Sequence, residues 1–268
     1  MLLVVKLGGS TLEEGVSEEF VQDVKRATSQ HKVVIVHGGG ARVTETATKL
    51  GKEQKFVVSP EGFRSRYTDR ETVEIYTMVM AGKINKEMVL ALQRQGVNAV
   101  GLSGLDGSLA TAERKKQLMI MDERGRKRII EGGYTGKITK INTDLINLLV
   151  QNDYTPVIAP VAIGSEYEPL NTDGDRMAAS IAGALKADML ILLTDVKGVE
   201  LDGKLIPKMN VLEAKDALPR MGHGMITKIY AAIEALDHGV TKVAIAPGLE
   251  SSPISLSIEG KCGTVIER

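Results

Sequence analysis

The chain has 268 residues, enough for one large domain or two modest ones. At 43% hydrophobic and 25% charged residues its composition is that of an ordinary globular protein, which excludes wholesale disorder. Its 34 Lys and Arg balance 34 Asp and Glu, so it lacks the basic field by which a protein coats nucleic acid, and 3% aromatic residues with no Trp leave little to stack on bases. The single cysteine, Cys262, has no partner within the chain. With a strand-like run at residues 2–5 and no cleavable signal pattern ahead of it, the expected setting is the cytoplasm. No apolar run reaches the roughly 18 to 20 residues of a membrane span.

In chain order, short apolar runs recur at 2–5, 33–36, 99–102, 156–159, 189–193 and 243–246. They are apolar throughout rather than alternating, as strands covered on both faces are. Helix-period segments separate them. Ser17 ahead of Glu18 and Glu19 reads as an N-cap followed by acids at the positive end of a helix dipole. Over 70–95, Val73, Tyr76, Met80, Ile84 and Met88 fall three and four apart, which predicts one helix. Further helices are expected near 142–152, 175–186 and 224–238. This alternation predicts an α/β fold, a three-layer αβα sandwich around a mainly parallel sheet. From about 110 to 140 the rhythm changes to short strands around Gly125 and then Gly132-Gly133, a β-hairpin insertion. The chain reads as one domain, 1–268, with two lobes meeting near residue 170.

Two glycine clusters follow strands at once: Lys6-Leu7-Gly8-Gly9-Ser10 and His37-Gly38-Gly39-Gly40. Such loops either make tight turns or let successive N–H groups cradle an anion, and two of them on consecutive strands favour a binding site. Neither a G-x-x-x-x-G-K-[ST] loop nor a G-x-G-x-x-G fingerprint is present; Gly136-Lys137 is followed by Ile138 and has Glu131 where the first glycine belongs. Phosphate binding here needs another scheme. Phosphoryl transfer asks mainly for positioning and positive charge. Lys6 precedes the first glycine pair, and Gly222-His223-Gly224-Met225-Ile226-Thr227-Lys228 sets a second lysine in the first turns of a helix. Asn171-Thr172-Asp173-Gly174-Asp175 opens another helix, where an Asp can cap, bind metal or hold lysines. His31, His223 and His238 read as helix-end or loop residues, and His37 as a residue that shapes the glycine loop.

K-L-G-G-S at 6–10, H-G-G-G at 37–40, S-R-Y-T-D at 65–69, A-G-K-I-N-K at 81–86, N-T-D-G-D at 171–175, L-L-T-D-V-K-G-V at 192–199 and G-M-I-T-K at 224–228 resemble, in order, the motifs of the amino-acid kinase family. The resemblance covers essentially the whole chain. It is nearest to the acetylglutamate kinase branch and, within it, to the kinases that act on aminoadipate or glutamate joined to a small acidic LysW-type carrier protein. Residues 101–107 and 132–138 are similar to that subgroup, while Leu105 and Asp173 stand where acetylglutamate kinases more often show Lys and Asn.

The resemblance implies ATP-dependent phosphorylation of a side-chain carboxylate, in lysine or arginine biosynthesis. It implies that Lys6 and Lys228 stabilise the moving phosphoryl group and that Asp175 orients both. Gly39, Gly40, Arg66 and Asn171 would bind the acceptor, and Gly8, Gly9, Thr194, Asp195 and Met225 the nucleotide. Mg2+ would ride on the ATP phosphates without a dedicated protein cage. Residues 1–170 would hold the acceptor and 171–268 the ATP. A homodimer built across the sheet and the helix near 70–95 is also implied. In arginine-inhibited hexameric relatives a helix precedes the first strand; with the strand at residue 2, that feedback is not expected here. An acidic carrier needs a basic landing surface, and residues 113–128 hold seven Lys/Arg against three Asp/Glu. The alternatives are an ordinary N-acetylglutamate kinase and a non-catalytic anion- or nucleotide-binding protein on the same fold.

Overall fold

Successive side chains of a strand point to opposite faces, so an all-apolar run needs cover on both sides. In the computed structural model, which describes residues 1–12 and 15–268, strand β1 (Leu2–Leu7) sends Val4 into one core and Leu3, Val5 and Leu7 into another. Strand β2 (Lys32–His37) divides in the same way, Val34 and Val36 against Val33 and Ile35. Each such side chain contributes about 1.5–3 kcal/mol when fully buried, which is what holds helices on both faces. Over the Leu3 and Val5 face lie α1 (Glu18–Thr28), α2 (Gly40–Lys49), α3 (Arg70–Thr77), α4 (Asn85–Arg94) and α9 (Pro253–Ile258). Over the Val4 face lie α5 (Asp144–Gln151), α6 (Gly174–Leu185), α7 (Val211–Ala217) and α8 (His223–Asp237).

Among the described residues the large sheet has eight strands. The others are β3 (Ala99–Ser103), β4 (Thr155–Ala159), β5 (Met189–Thr194), β6 (Lys208–Asn210), β7 (Lys242–Pro247) and β8 (Thr264–Glu267), and the order across the sheet is β6-β8-β7-β5-β1-β2-β4-β3. The six apolar runs are the six strands from β7 to β3, all parallel. Sequence reading missed β6 and β8. Both are short, and β8 runs antiparallel to β7 at the sheet's end, where half of the side chains stay partly open and no continuous apolar run is needed.

The expected Ser17 cap is present: its side chain accepts from Phe20 N at 3.2 Å. The single helix expected over 70–95 is instead α3 and α4 joined by a π-helical stretch, Met78–Ile84. A π turn holds more residues than an α turn and rotates the inward face, so the neighbours Ile84 and Asn85 are both buried. In the insertion, Ala110–Arg114 pairs with Gly136–Ile141 inside a second, four-stranded sheet that also takes Val161–Ile163 and Pro169–Asn171. Gln117–Met121 and Lys127–Glu131 form a separate antiparallel ribbon. Gly132-Gly133 is not a hairpin turn. It is a close crossing, where a side chain on Gly132 would strike the Lys115 carbonyl and one on Gly133, at φ +61°, the Thr68 carbonyl. Among the described residues no helix is long and apolar enough to cross a membrane. The His223 side chain lies outside the described residues.

Candidate active site

Strand β1 lies where the strand order turns back, with β2 on one side and β5 on the other; in open parallel sheets ligands gather beyond the carboxyl ends at this point. Leu7 is in register with His37 and Leu193, so Gly8-Gly9, Gly38–Gly40 and Thr194 all sit at one edge. The two glycine loops touch backbone to backbone. A Cβ on Gly9 would stand 2.9 Å from Gly39 N, and one on Gly38 2.7 Å from Gly9 N, contacts no side chain tolerates. Gly39 has φ +149°, a conformation open to glycine. Gly8 N donates to Leu193 O at 3.0 Å and Gly38 N to Leu7 O at 2.8 Å, which ties both loops to the sheet. The N–H groups of Gly9, Gly39 and Gly40 have no acceptor among the described residues, and the N-terminus of α2 has no side-chain cap. Unclaimed donors at a helix start form an anion site.

Beside this nest stand two cations. Lys6 Nζ lies 2.6 Å from Asp175 Oδ1, and Lys228 Nζ lies 3.0 Å from Asp175 Oδ2. The three side chains are nearly buried, at 7%, 12% and 5% exposure for Lys6, Lys228 and Asp175. Lys6 comes from β1, Asp175 from the first turn of α6, and Lys228 from α8, which packs on α6. A Cβ on Gly174 would lie 3.5 Å from Lys6 Cε, an ordinary contact distance, so the start of α6 sits directly against the Lys6 side chain. Burial pushes the Asp175 carboxyl up, but the two ammoniums outweigh it and hold its pKa at about 2. Burial pulls the Lys228 ammonium down, and Asp175 more than restores it, so its pKa is raised. Two cations on one carboxylate leave positive charge free to meet a phosphoryl group. Asp173 is exposed at the rim, and its Oδ1 accepts from Arg176 N at 2.9 Å as the cap of α6. Among the described residues no three His, Cys, Asp or Glu side chains are grouped to hold a metal ion.

Arg66 is buried at the end of the strand Arg64–Arg66. Its Nη2 donates to Gly40 O at 2.7 Å and Thr44 Oγ1 at 2.9 Å, its Nη1 donates to Gln54, and the guanidinium lies 4.8 Å from the Phe56 ring centre. The three hydrogen-bond partners are neutral, and burial pulls its pKa down. A buried guanidinium among neutral groups is set to gain from an incoming carboxylate. Asn171 reaches the same corner indirectly: its Nδ2 donates to Thr68 Oγ1 at 2.9 Å, and Thr68 donates to Arg66 O at 3.0 Å. Thr194 stands beside Gly8 and donates to Asp195 Oδ1 at 3.0 Å, and the Asp195 charge reaches Lys228. Met225 lies three residues before Lys228 on α8 and packs against the core between sheet and helix.

Thr68, the buried His37 and Asn85, and the exposed Lys86 were not read from sequence as site residues. The signal for Asn85 was its place in the A-G-K-I-N-K motif, which becomes informative about a buried amide only once the π turn faces it inward. The basic segment divides as well. Arg114 is engaged internally, donating to Gly133 O at 2.6 Å and lying 4.1 Å over the Tyr134 ring, and Arg126 and Arg128 pair with Asp122. Lys115, Lys116, Arg124 and Lys127 remain exposed.

With cations, glycine nest and buried guanidinium at one sheet edge, the class of protein follows: the chain belongs to the amino acid kinase family, whose sequence profile matches residues 1–247. Its relatives narrow this further. A LysW-aminoadipate/LysW-glutamate kinase of Sulfolobus acidocaldarius is 46% identical over 271 residues, covering 99% of this chain and 100% of its own. A Nitrosopumilus maritimus protein with the same two substrates in its name is 48% identical over 266 residues, 99% of each chain. Carbamate kinase from Giardia lamblia shares the fold, with a TM-score of 0.67 at 18% identity over 99% of this chain and 98% of that one.

Proposed function

We propose that this chain transfers the γ-phosphoryl group of ATP to the side-chain carboxylate of aminoadipate or glutamate whose amine is blocked by a LysW-type carrier protein. The observation that carries the reading is the Lys6–Asp175–Lys228 bridge beside the unclaimed N–H groups of Gly9, Gly39 and Gly40. An acceptor carboxylate, with an ordinary pKa of about 4, is already ionised at pH 7, so its oxygen attacks the γ-phosphorus without a base. A P–O bond forms to the acceptor as the bond to the β-phosphate oxygen breaks, giving an acyl phosphate and ADP. No proton moves. What such a reaction needs is cations and N–H donors around the transferred group, with Lys6, Lys228 and the N–H groups of Gly9, Gly39 and Gly40 in that role, while Gly8, its N–H held by Leu193 O, lines the approach without donating.

In this reading Arg66 pairs with a carboxylate of the acceptor, Asn171 binds its main-chain part, and Thr194, Asp195 and Met225 line the nucleotide pocket. Residues 1–170 then hold the acceptor and 171–268 the nucleotide. Asp175 is taken up by two ammoniums and Asp173 by the cap of α6, so Mg2+ would be carried by the ATP phosphates and water. Blocking the amine has a chemical purpose. A free nitrogen on the same molecule would attack the acyl phosphate at an effective molarity of up to about 10⁵–10⁸ M. The exposed Lys115, Lys116, Arg124 and Lys127 would steer an acidic carrier. A cytoplasmic homodimer is part of the proposal, and Met78 and Leu90, 58% and 62% exposed near the α3–α4 unit, support a covered face there.

The test is ADP release and hydroxylamine trapping with ATP and three acceptors: free N-acetylglutamate, carrier-linked glutamate and carrier-linked aminoadipate. Turnover of the carrier-linked acids, weakened at low salt by reversing Lys115, Lys116, Lys127 and Arg128, is the expected result. Turnover of N-acetylglutamate alone establishes the ordinary arginine-pathway kinase, and no ADP release with any acceptor leaves a binding protein.

A further inference from the structure

His37 is fully buried at the end of β2, one residue before the glycine nest. Its Nδ1 lies 3.0 Å from Gly38 O, and a carbonyl facing a ring nitrogen at that distance requires the nitrogen to donate. Its Nε2 lies 3.2 Å from Asn85 Nδ2, which places an amide donor against a lone pair. The Asn85 amide cannot be turned over. Its Nδ2 also faces Val157 O at 2.8 Å and Leu102 O at 3.3 Å, and its Oδ1 accepts from Lys86 Nζ at 3.1 Å, so the reverse orientation would set oxygen on oxygen and amide on ammonium. Lys86 Nζ in turn donates to Gly101 O at 3.1 Å, and Gly101 has no side chain because one would run into both Asn85 and Lys86. The imidazole is therefore neutral, with its proton on Nδ1. Burial, reinforced by Lys6 and Lys86 and opposed by the Gly38 carbonyl, agrees, lowering its pKa to about 4.

The consequence falls on the nest. The Gly38 carbonyl and the Gly39 N–H belong to one rigid peptide plane. Holding that carbonyl against the imidazole sets the direction of the Gly39 N–H, one of the three unclaimed donors. The π segment closes on the same loop: Ile84 and Met80 stand where a side chain on Gly39 would be, and the next residue is Asn85. We infer that the His37–Asn85 pair is a positioning device, which holds one imidazole tautomer so that the Gly38–Gly39 peptide keeps its N–H aimed at the transferred phosphoryl oxygen. This role rests on the phosphotransfer reading above; the tautomer itself does not.

Two measurements test it. Long-range proton–nitrogen NMR on ¹⁵N-histidine-labelled, substrate-free wild type at pH 7 is expected to show a neutral His37 protonated on Nδ1. A ring protonated on Nε2, or on both nitrogens, overturns the inference without any assay of activity. Kinetics then separate position from packing. His37→Asn places an amide donor where Nδ1 stands and is expected to keep turnover near wild type. His37→Gln places it where Nε2 stands and is expected to lose about tenfold or more in kcat, with the KM for ATP little changed. Equal kcat in the two variants, or losses that merely follow their melting temperatures, overturn it. Failure of the phosphotransfer reading shows itself separately, as wild-type protein that releases no ADP with any acceptor.

Discussion

Asp175→Asn keeps the shape of the bridging side chain and removes its charge. Lys6 and Lys228, at 2.6 and 3.0 Å from the carboxylate, then become two buried ammoniums with no counter-charge between them. Removing one partner of a buried ion pair costs about 3–5 kcal/mol, because the charge left behind stays desolvated. In a chain of this size that lowers the melting temperature by about 10 °C. Turnover falls as well, by about 10²–10³ in kcat, since both cations lose the group that aims them at the moving charge. ATP phosphates restore negative charge at the same place, so ATP with Mg2+ raises the melting temperature of the variant more than that of wild type. Adding Lys228→Met to Asp175→Asn removes the uncompensated cation and recovers part of the stability while kcat stays low. Calorimetry with and without ATP, alongside ADP release, reads all of this. An Asp175→Asn protein as stable as wild type without nucleotide, or as active, refutes the electrostatic account of the bridge.

Acid titration gives a second check. With its folded pKa at about 4 and an ordinary value of 6.5, buried His37 takes up its proton in the unfolded chain first. Stability is therefore complete above pH 6.5 and falls by about 3 kcal/mol as pH drops to 4, a slope in urea midpoints that His37→Gln should lack. Asp175, lowered from 3.8 to about 2, holds its contribution above pH 4 and loses it only as pH falls toward 2. Away from the site, the fully buried Asp23 accepts from Ile254 N at 2.6 Å, Ser255 N at 3.2 Å and Ser255 Oγ at 2.5 Å, joining α1 to α9. Asp23→Ala orphans these donors and is expected to cost about 3 kcal/mol in denaturant unfolding with kcat unchanged. Arg66→Lys replaces a fork by a single ammonium that cannot serve Gly40, Thr44 and Gln54 together. The KM for the acceptor should rise about 100-fold, or about 2.7 kcal/mol, while the KM for ATP holds.

Much of the fold was legible in the amino-acid sequence because its signals are local. A run such as Val33 to Val36 is apolar on both faces, so it announces a strand between two layers, and glycines directly after a strand announce a loop that something approaches closely. Ser17 capping α1 and Asp173 capping α6 are likewise three-residue events. Family motifs added the residue types, Lys6, Asp175 and Lys228, without their geometry. The π turn was not legible: spacings of three and four suit an α-helix, and the extra residue is stabilised by what Ile84 and Asn85 meet inside. Nor were β6 and β8, whose pairing partners lie far along the chain. That two ammoniums share one carboxylate, that Arg66 is buried among neutral groups, and that His37 carries its proton on Nδ1 were decided by tertiary structure alone. Each depends on desolvation and on a partner brought in by another element, and neither is a property of a short stretch of chain.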